Sequence, residues 1–176
     1  MNKKMDHNYW KRIMDDIAEA STCRVMLGCI ILRGNFIVGV GYLGSISGDH
    51  HCDDETKGMD DGGDCFGHPG VSIPNTRGCL FVDNNGLQGV GDGNRSCIRT
   101  VHAEMNAILK TSARGEPENW LTCYSTYSPC LNCYKALLQI GVRNFYFEKD
   151  YKDVNRDILM KNHSPELRLN ISWVKV

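Results

Sequence analysis

Hydrophobic residues recur at helical or strand-like spacing in the first 42 residues of the chain. Over residues 8–20, apolar side chains follow the i, i+3, i+4 pattern that is typical of an amphipathic helix. Two short apolar runs come next, over residues 26–32 and 36–42, with Arg33-Gly34-Asn35 between them. A glycine between two such runs predicts a β-hairpin.

A regular alternation of helical and strand-like patterns returns in the second half of the chain. We predict helices at 101–113, 130–140 and 153–161, and strands at 121–125, 144–148 and 169–176. Together with the hairpin, these segments supply five strands and enough helices to cover both faces of one sheet. The predicted fold class is therefore α/β, a three-layer α/β/α sandwich around a mixed five-stranded sheet.

The segment between these halves, at about residues 43–100, has a different character. It holds 12 of the 18 glycines and shows little periodicity, apart from a weak hairpin pattern at 80–82 and 87–90. We interpret it as a Gly/Asp-rich insertion in a single domain that spans residues 1–176. Long loops in compact domains usually carry function or are held in place, and a metal ion is one way to hold this one.

Composition and charge exclude several classes of protein. The chain has 176 residues, 41% of them hydrophobic and 23% charged, which fits one globular domain and excludes intrinsic disorder. A net charge of −1 provides no overall field for binding nucleic acid or an anionic membrane. No apolar run is long enough to span a membrane, and the first residues do not resemble a signal peptide. We therefore expect a cytoplasmic protein.

Two short motifs indicate a metal site, His102-Ala103-Glu104 and Pro129-Cys130-Leu131-Asn132-Cys133. A Cys-x-x-Cys pair at the start of a helix lets both sulfur atoms face one ion, and the helix N-terminus favours their thiolate form. His102, at the start of the preceding predicted helix, supplies a third ligand. Three protein ligands leave one tetrahedral position for water, as in a catalytic zinc site.

Glu104 is the predicted catalytic acid and base. Two residues after His102, its carboxylate can reach the open coordination position without being a ligand, take a proton from water there and pass it to a leaving nitrogen. Cys-x-x-Cys alone is more often structural zinc or a redox pair, and His-x-Glu alone carries little information. Together, with a strand between the two helices, they resemble the signature of zinc nucleobase deaminases.

The two motifs belong to a longer series of recognisable segments. These are Ser21-Thr22-Cys23, Gly41-Tyr42-Leu43-Gly44-Ser45 with Gly48, His51-Cys52-Asp53, residues 97–109 and Ser128-Pro129-Cys130-Leu131-Asn132-Cys133. In these segments the chain resembles the cytidine deaminase superfamily and, more narrowly, the deoxycytidylate deaminases. The resemblance implies a cytidine deaminase-like fold and hydrolysis of dCMP to dUMP and ammonia, which supplies dUMP for thymidylate synthesis. It also implies a homo-hexamer that is activated by dCTP and inhibited by dTTP.

The resemblance also suggests residues for substrate binding. The backbone N–H of Ala103 and the carbonyl of Ser128 are expected to hold the pyrimidine edge, Tyr127 to close over the base, and Arg24 to meet the substrate phosphate. The chain departs from the family at Leu43, where an asparagine usually contacts the sugar. Ser45 or the backbone of Gly44 are the two candidates for that contact.

The remaining cysteines allow a second, structural zinc site, which some members of the family carry. The candidate ligands are Cys23, Cys52 and Cys97, with His51 or Cys65 as the fourth. Such a site would hold the insertion in place, because a structural zinc contributes folding free energy directly. The alternative is that these cysteines are buried free thiols.

Three other functions compete with dCMP deamination. The first is deamination of another free cytosine nucleotide, nucleoside or base. The second is editing of adenosine in tRNA, against which the near-zero net charge argues. The third is a non-catalytic zinc module in which His102, Cys130 and Cys133 only hold the fold, against which the position of Glu104 argues.

Overall fold

The computed structural model describes residues 6–23, 25–48 and 100–176. Five helices and seven strands lie in these ranges. In chain order they are α1 (His7–Ala18), β1 (Gly28–Arg33), β2 (Phe36–Tyr42), β3 (Gly44–Ser45), β4 (Thr100–Val101), α2 (Ala103–Leu109), β5 (Leu121–Tyr127), α3 (Leu131–Gln139), β6 (Val142–Lys149), α4 (Val154–Lys161), α5 (Pro165–Leu169) and β7 (Ser172–Lys175). None of the helices in these ranges has the length and apolar character needed to cross a membrane.

Five of the strands form one mixed sheet in the order β2-β1-β5-β6-β7. Strand β1 runs antiparallel to both β2 and β5, whereas β5, β6 and β7 are parallel to one another. The β1–β2 hairpin turns at Gly34, whose φ of 58° lies in the left-handed region that glycine adopts without strain. The predicted hairpin and the mixed five-stranded sheet are confirmed.

Side chains alternate between the two faces along each strand, so both faces of this sheet carry apolar residues. Helices cover both of these faces. In β1, Ile30 and Leu32 belong to a core that α1 covers, whereas Cys29 and Ile31 belong to the core on the opposite face. The first core also contains Trp10, Met14 and Tyr124, and the second contains Ala103, Ala107, Leu121, Cys123, Tyr134, Leu137, Ile140, Val142 and Phe145. The predicted three-layer sandwich is therefore confirmed, with α2 and α3 on the second face.

The close approach of α2 to β2 depends on Gly41. A Cβ atom at this position would collide with the carbonyl oxygen of Ala103 and the backbone nitrogen of Ala107. The side-chain amide of Asn106 adds a hydrogen bond of 2.9 Å to the Tyr42 carbonyl. These contacts place the first turn of α2 directly against the end of β2.

Several element bounds differ from the sequence-based prediction: β5 extends to Tyr127, and β6 already begins at Val142 and extends to Lys149. The C-terminal strand begins at Ser172 and not at residue 169, and a short helix that the sequence did not predict, α5, precedes it and ends at Leu169. The helix predicted at 101–113 extends only over Ala103–Leu109, and Thr100–Val101 instead pairs with Gly44–Ser45 as the strands β4 and β3. The weak hairpin at 80–82 and 87–90, and most of the 43–100 insertion, lie outside the described residues.

Candidate active site

Three predicted ligands come together between α2 and α3. The ligand atoms of His102, Cys130 and Cys133 all lie within 4.8 Å of one another. The Nδ1 atom of His102 is 3.6 Å from the Cys130 sulfur and 3.4 Å from the Cys133 sulfur. A tetrahedral zinc ion bound to nitrogen and sulfur separates such atoms by roughly 3.6 Å. The spacing and the chemistry of these donors therefore fit zinc.

Local backbone structure explains why these side chains converge. His102 is the N-cap of α2 and Cys130 is the N-cap of α3, both with extended backbone angles and neither with a side-chain cap. The strand β5 leads from the first helix to the second, so the two helix N-termini meet at one end of the sheet. The free N–H groups of both first turns favour negative charge there, including that of thiolates.

Hydrogen bonding within the cluster shifts the ionisation of its members in opposite directions. The hydrogen bond from the Cys133 thiol, followed by that from His102, lowers the pKa of Cys130 to about 4. The same hydrogen bond to Cys130, together with burial, raises the pKa of Cys133. The hydrogen bond to Cys130 also raises the pKa of His102. A cation bound between the two sulfur atoms favours the thiolate form of both.

Glu104 lies beside the ligands without belonging to their cluster. It follows Ala103 in the first turn of α2, is only 7% exposed and makes a side-chain hydrogen bond with Cys133. Burial raises the pKa of its carboxyl above the ordinary value, while its backbone hydrogen bond and the nearby His102 act in the lowering direction. The carboxyl group is therefore held in a poorly solvated position against the three ligands.

The predicted substrate-binding residues are placed unequally. Ala103 is buried at the first position of α2, and Ser128 is buried two residues before Cys130. Tyr127 ends β5 and is half-buried, with the Lys149 ammonium 5.6 Å from the centre of its ring. Arg24, the candidate for the phosphate, lies outside the described residues.

Nearly all candidate ligands of the second zinc lie outside the described residues. Cys23 is described and half-buried. Cys52, Cys97, His51 and Cys65 fall in the segment 49–99. The second zinc site therefore remains a prediction.

Two residues near the site were not predicted from the sequence, Asp153 and Arg156. Asp153 accepts a hydrogen bond from the backbone N–H of Leu131, and Arg156 donates one to the carbonyl of Pro129. These contacts join residues more than 20 positions apart in the chain, so no spacing rule reveals them. The burial of an arginine on a short helix is a feature that only the folded structure shows.

Comparison with known proteins gives a consistent result at the family level. The model of the family described as "Cytidine and deoxycytidylate deaminase zinc-binding region" matches residues 4–149. ComE operon protein 2 of Bacillus subtilis (strain 168) is 35% identical over 137 residues, which are 77% of this chain and 55% of that protein. The chain therefore spans little more than half the length of that relative.

Two phage proteins are similar over nearly their whole length. Deoxycytidylate deaminase of Enterobacteria phage T4 is 27% identical over 176 residues, with 90% of this chain and 89% of that protein covered. The crystal structure of dCMP deaminase from the cyanophage S-TIM5, in complex with dCMP and dUMP, has the same fold. Its TM-score is 0.59 at 20% identity, covering 98% of this chain and 99% of that one. Since the family model spans most of the sequence, including His102, Cys130 and Cys133, this chain belongs to the cytidine and deoxycytidylate deaminase family.

Proposed function

We propose that this protein converts dCMP and water to dUMP and ammonia in a zinc-dependent hydrolysis. The observation that carries this proposal is the buried carboxyl group of Glu104 against a cluster of three candidate ligands among the described residues, His102, Cys130 and Cys133. A structural zinc site usually has four protein ligands and needs no buried carboxylate beside it. The phage T4 relative, named deoxycytidylate deaminase, supports dCMP as the substrate.

The chain's own residues divide the chemistry between them. Zinc held by His102, Cys130 and Cys133 would supply Lewis acidity that makes water a nucleophile near neutral pH. Glu104 accepts one proton from the water as the water oxygen bonds to C4, and delivers this proton to N3 of the pyrimidine. It then carries the remaining hydroxyl proton to the exocyclic nitrogen, so that the C4–N bond breaks and ammonia leaves. Its poorly solvated position strengthens its interaction with the reacting atoms.

Three residues are proposed to orient the base. The backbone N–H of Ala103 is in the first turn of α2, where helical backbone donors have no partner within the helix. The carbonyl of Ser128 offers an acceptor next to the Cys-x-x-Cys motif, and the ring of Tyr127 covers the base. For the phosphate, Arg24 remains the proposed cation because a guanidinium pairs well with a phosphate monoester.

The contact to the sugar is assigned to Ser45. The Leu43 side chain, at the position where the family usually has asparagine, is 6% exposed and packed in the core. The hydroxyl oxygen of Ser45 is buried and has no hydrogen-bond partner in the part of the chain that the structure describes. In the pair of strands β3 and β4, Ser45 lies opposite Thr100, which is two residues before His102 in the chain. We expect Ser45→Ala to raise KM for dCMP several-fold while kcat changes little, and an unchanged KM would contradict the assignment.

A substrate panel tests the proposed activity. Ammonia release is measured with dCMP, dCTP, cytidine, cytosine and a tRNA anticodon loop at equal concentration. We expect the highest kcat/KM with dCMP and no turnover of the tRNA loop. Preference for cytidine, cytosine or dCTP would overturn the choice of substrate, and no release from any of them would favour the non-catalytic zinc module.

The name of another relative is compatible with a second class of substrate. The Bacillus subtilis relative, at 35% identity, is named for an operon and not for a reaction. Another free cytosine nucleotide, nucleoside or base is therefore the second candidate, and the same panel distinguishes it.

The resemblance to deoxycytidylate deaminases also supports proposals about regulation and assembly. We propose a cytoplasmic homo-hexamer that supplies dUMP for thymidylate synthesis, with dCTP as activator and dTTP as inhibitor. Six chains of 19.8 kDa give an expected mass of about 119 kDa in light scattering. Activity with dCMP should rise on addition of dCTP and fall on addition of dTTP, and a monomer indifferent to both would contradict these proposals.

A further inference from the structure

The peptide groups on both sides of Cys130 are held by side chains from the start of α4. An Nη1 hydrogen of Arg156 is donated to the carbonyl oxygen of Pro129 at 2.9 Å, and the Oδ2 atom of Asp153 accepts from the N–H of Leu131 at 2.7 Å. The first group belongs to the peptide unit before Cys130 and the second to the unit after it. Because peptide units are planar, fixing both units fixes the backbone angles of Cys130.

Cys130 needs external support because it cannot cap its own helix. The N-cap residue of a helix usually has a side-chain oxygen that accepts from the first free N–H groups. The Cys130 side chain makes no such bond and instead lies 3.6 Å from the metal-binding nitrogen of His102. Asp153 provides the missing acceptor from another helix, so the sulfur atom remains available to the metal.

Arg156 is itself held firmly in place. Its side chain is only 5% exposed, and the same Nη1 atom also donates to the hydroxyl of Ser128 at 3.1 Å. Its Nε and Nη2 atoms bind the Oδ1 atom of Asp157 at 3.0 and 2.7 Å, and its guanidinium carbon lies 5.1 Å from the centre of the Trp173 ring. A charge is costly to bury unless it is paired and hydrogen-bonded, and here these contacts compensate it.

We propose that Asp153 and Arg156 act as positioning residues, a clamp that presets the backbone of Cys130 so that its sulfur meets zinc together with His102 and Cys133. The inference rests on the zinc site of the proposed function but not on the identity of the nucleotide. Groups that orient metal ligands typically contribute about 10–100-fold to metal affinity. The clamp therefore has an effect that can be measured in the absence of any substrate.

The first test compares two arginines from neighbouring elements, Arg156 in α4, which contacts the chain just before α3, and Arg143 in β6, which contacts the C-terminal end of α3. Arg143 also donates through one Nη1 atom to two acceptors, the carbonyls of Leu138 and Val142 at 2.9 and 2.8 Å, and its guanidinium carbon lies 4.4 Å from the centre of the Trp120 ring. We expect Arg156→Gln to speed zinc release to a chelating dye by about tenfold or more. Arg143→Gln should stay within about twofold of the wild-type rate, even where both variants unfold at similarly lowered temperatures.

Substitutions of Asp153 provide a second test, which does not depend on whether Arg156→Gln folds. Asp153→Ala removes the acceptor for Leu131 and should speed zinc release, whereas Asp153→Asn retains an oxygen acceptor and should restore most of the wild-type rate. The visible absorption of the cobalt-substituted protein should change in the Ala variant and be close to wild type in the Asn variant. Both readouts report on the metal site and not merely on stability.

Several outcomes would overturn the clamp. Wild-type release rates in both Arg156→Gln and Asp153→Ala would contradict it, and so would equal acceleration by Arg143→Gln. These results are separate from those that bear on the substrate. A wild-type protein that leaves dCMP unchanged, but whose Arg156→Gln variant loses zinc faster, would support the clamp and contradict only the proposed reaction.

Discussion

Glu104 and Arg156 are the two buried acidic or basic side chains in the described ranges. Glu104 makes a hydrogen bond with the candidate ligand Cys133, and Arg156 donates to the carbonyl of Pro129, the residue before Cys130. Removing a charged group from water is unfavourable unless the surroundings compensate it, so such groups concentrate at functional sites. The buried positive charge of Arg156 is compensated by hydrogen bonds to carbonyl, hydroxyl and carboxylate oxygens. Burial raises the pKa of Glu104, which suits the proton transfer that we propose for it. The buried charged groups of Glu104 and Arg156 therefore indicate the same region of the fold as the two sequence motifs do.

The role of Glu104 predicts a separation of activity from metal binding. In Glu104→Gln the side chain keeps its size but loses the ability to transfer a proton, so kcat for dCMP should fall by about 10²–10⁴-fold. Zinc content and the unfolding temperature should remain close to wild type. Glu118→Gln, at an exposed position, serves as the control and should leave kcat unchanged. Ammonia release by Glu104→Gln at the wild-type rate would refute the assignment.

At the scale of elements, the site depends on how closely α2 packs on β2. The backbone of α2 passes so near Gly41 that no side chain fits between them, and the first turn of this helix carries His102 and Glu104. Gly41, which is distant in sequence from His102 and Glu104, thus controls where these two residues lie. Packing at this contact has to be considered part of the site.

The contact predicts that Gly41→Ala disturbs zinc binding as well as stability. The added methyl group must push α2 away, and we expect unfolding to become easier by about 1–3 kcal/mol and zinc release to become faster. Gly34→Ala is the matched control: it has open space around it but a φ of 58°, so it should lose about 1–2 kcal/mol through backbone strain alone. Calorimetry and zinc release are measured on both variants. Equal zinc release from the two would show that the α2–β2 contact does not position the site.

The sequence predicted the larger elements well because periodicity reports burial. The pattern over 36–42 matches β2 at both ends, and the Cys-x-x-Cys motif falls at the start of α3 as predicted. The pairing of β3 with β4 was missed because two-residue strands are too short to show a period. The contacts of Arg156 were missed for a different reason, since an arginine on an amphipathic helix normally indicates solvent exposure.

At the scale of the whole molecule, α1 covers one face of the sheet while α2 and α3 cover the other. The metal ligands lie on the α2–α3 side, where two helix N-termini meet. The long insertion at 43–100 joins β3 to β4, because Gly44–Ser45 and Thr100–Val101 form its two ends and pair with each other. The two described ends of this segment therefore lie side by side, and one of them, Thr100, is two residues before His102.

The second zinc site is tested by the metal content of the whole molecule. If Cys23, Cys52 and Cys97 with His51 or Cys65 bind a structural zinc, the purified protein should contain close to two zinc ions per chain by atomic absorption. Cys52→Ser should lower this number to about one and should reduce the unfolding temperature, because a structural zinc contributes directly to folding. A content close to one in the wild-type protein would eliminate the second site.

The proposed hydrolysis of dCMP requires zinc held by His102, Cys130 and Cys133. The most direct measurement is ammonia release from dCMP by metal-free protein before and after zinc is added back, with Cys133→Ser as a variant that lacks one ligand. We predict no turnover without zinc, recovery of turnover when zinc is restored, and no recovery in Cys133→Ser. Equal turnover in the metal-free and zinc-loaded proteins, or full recovery in Cys133→Ser, would contradict the account.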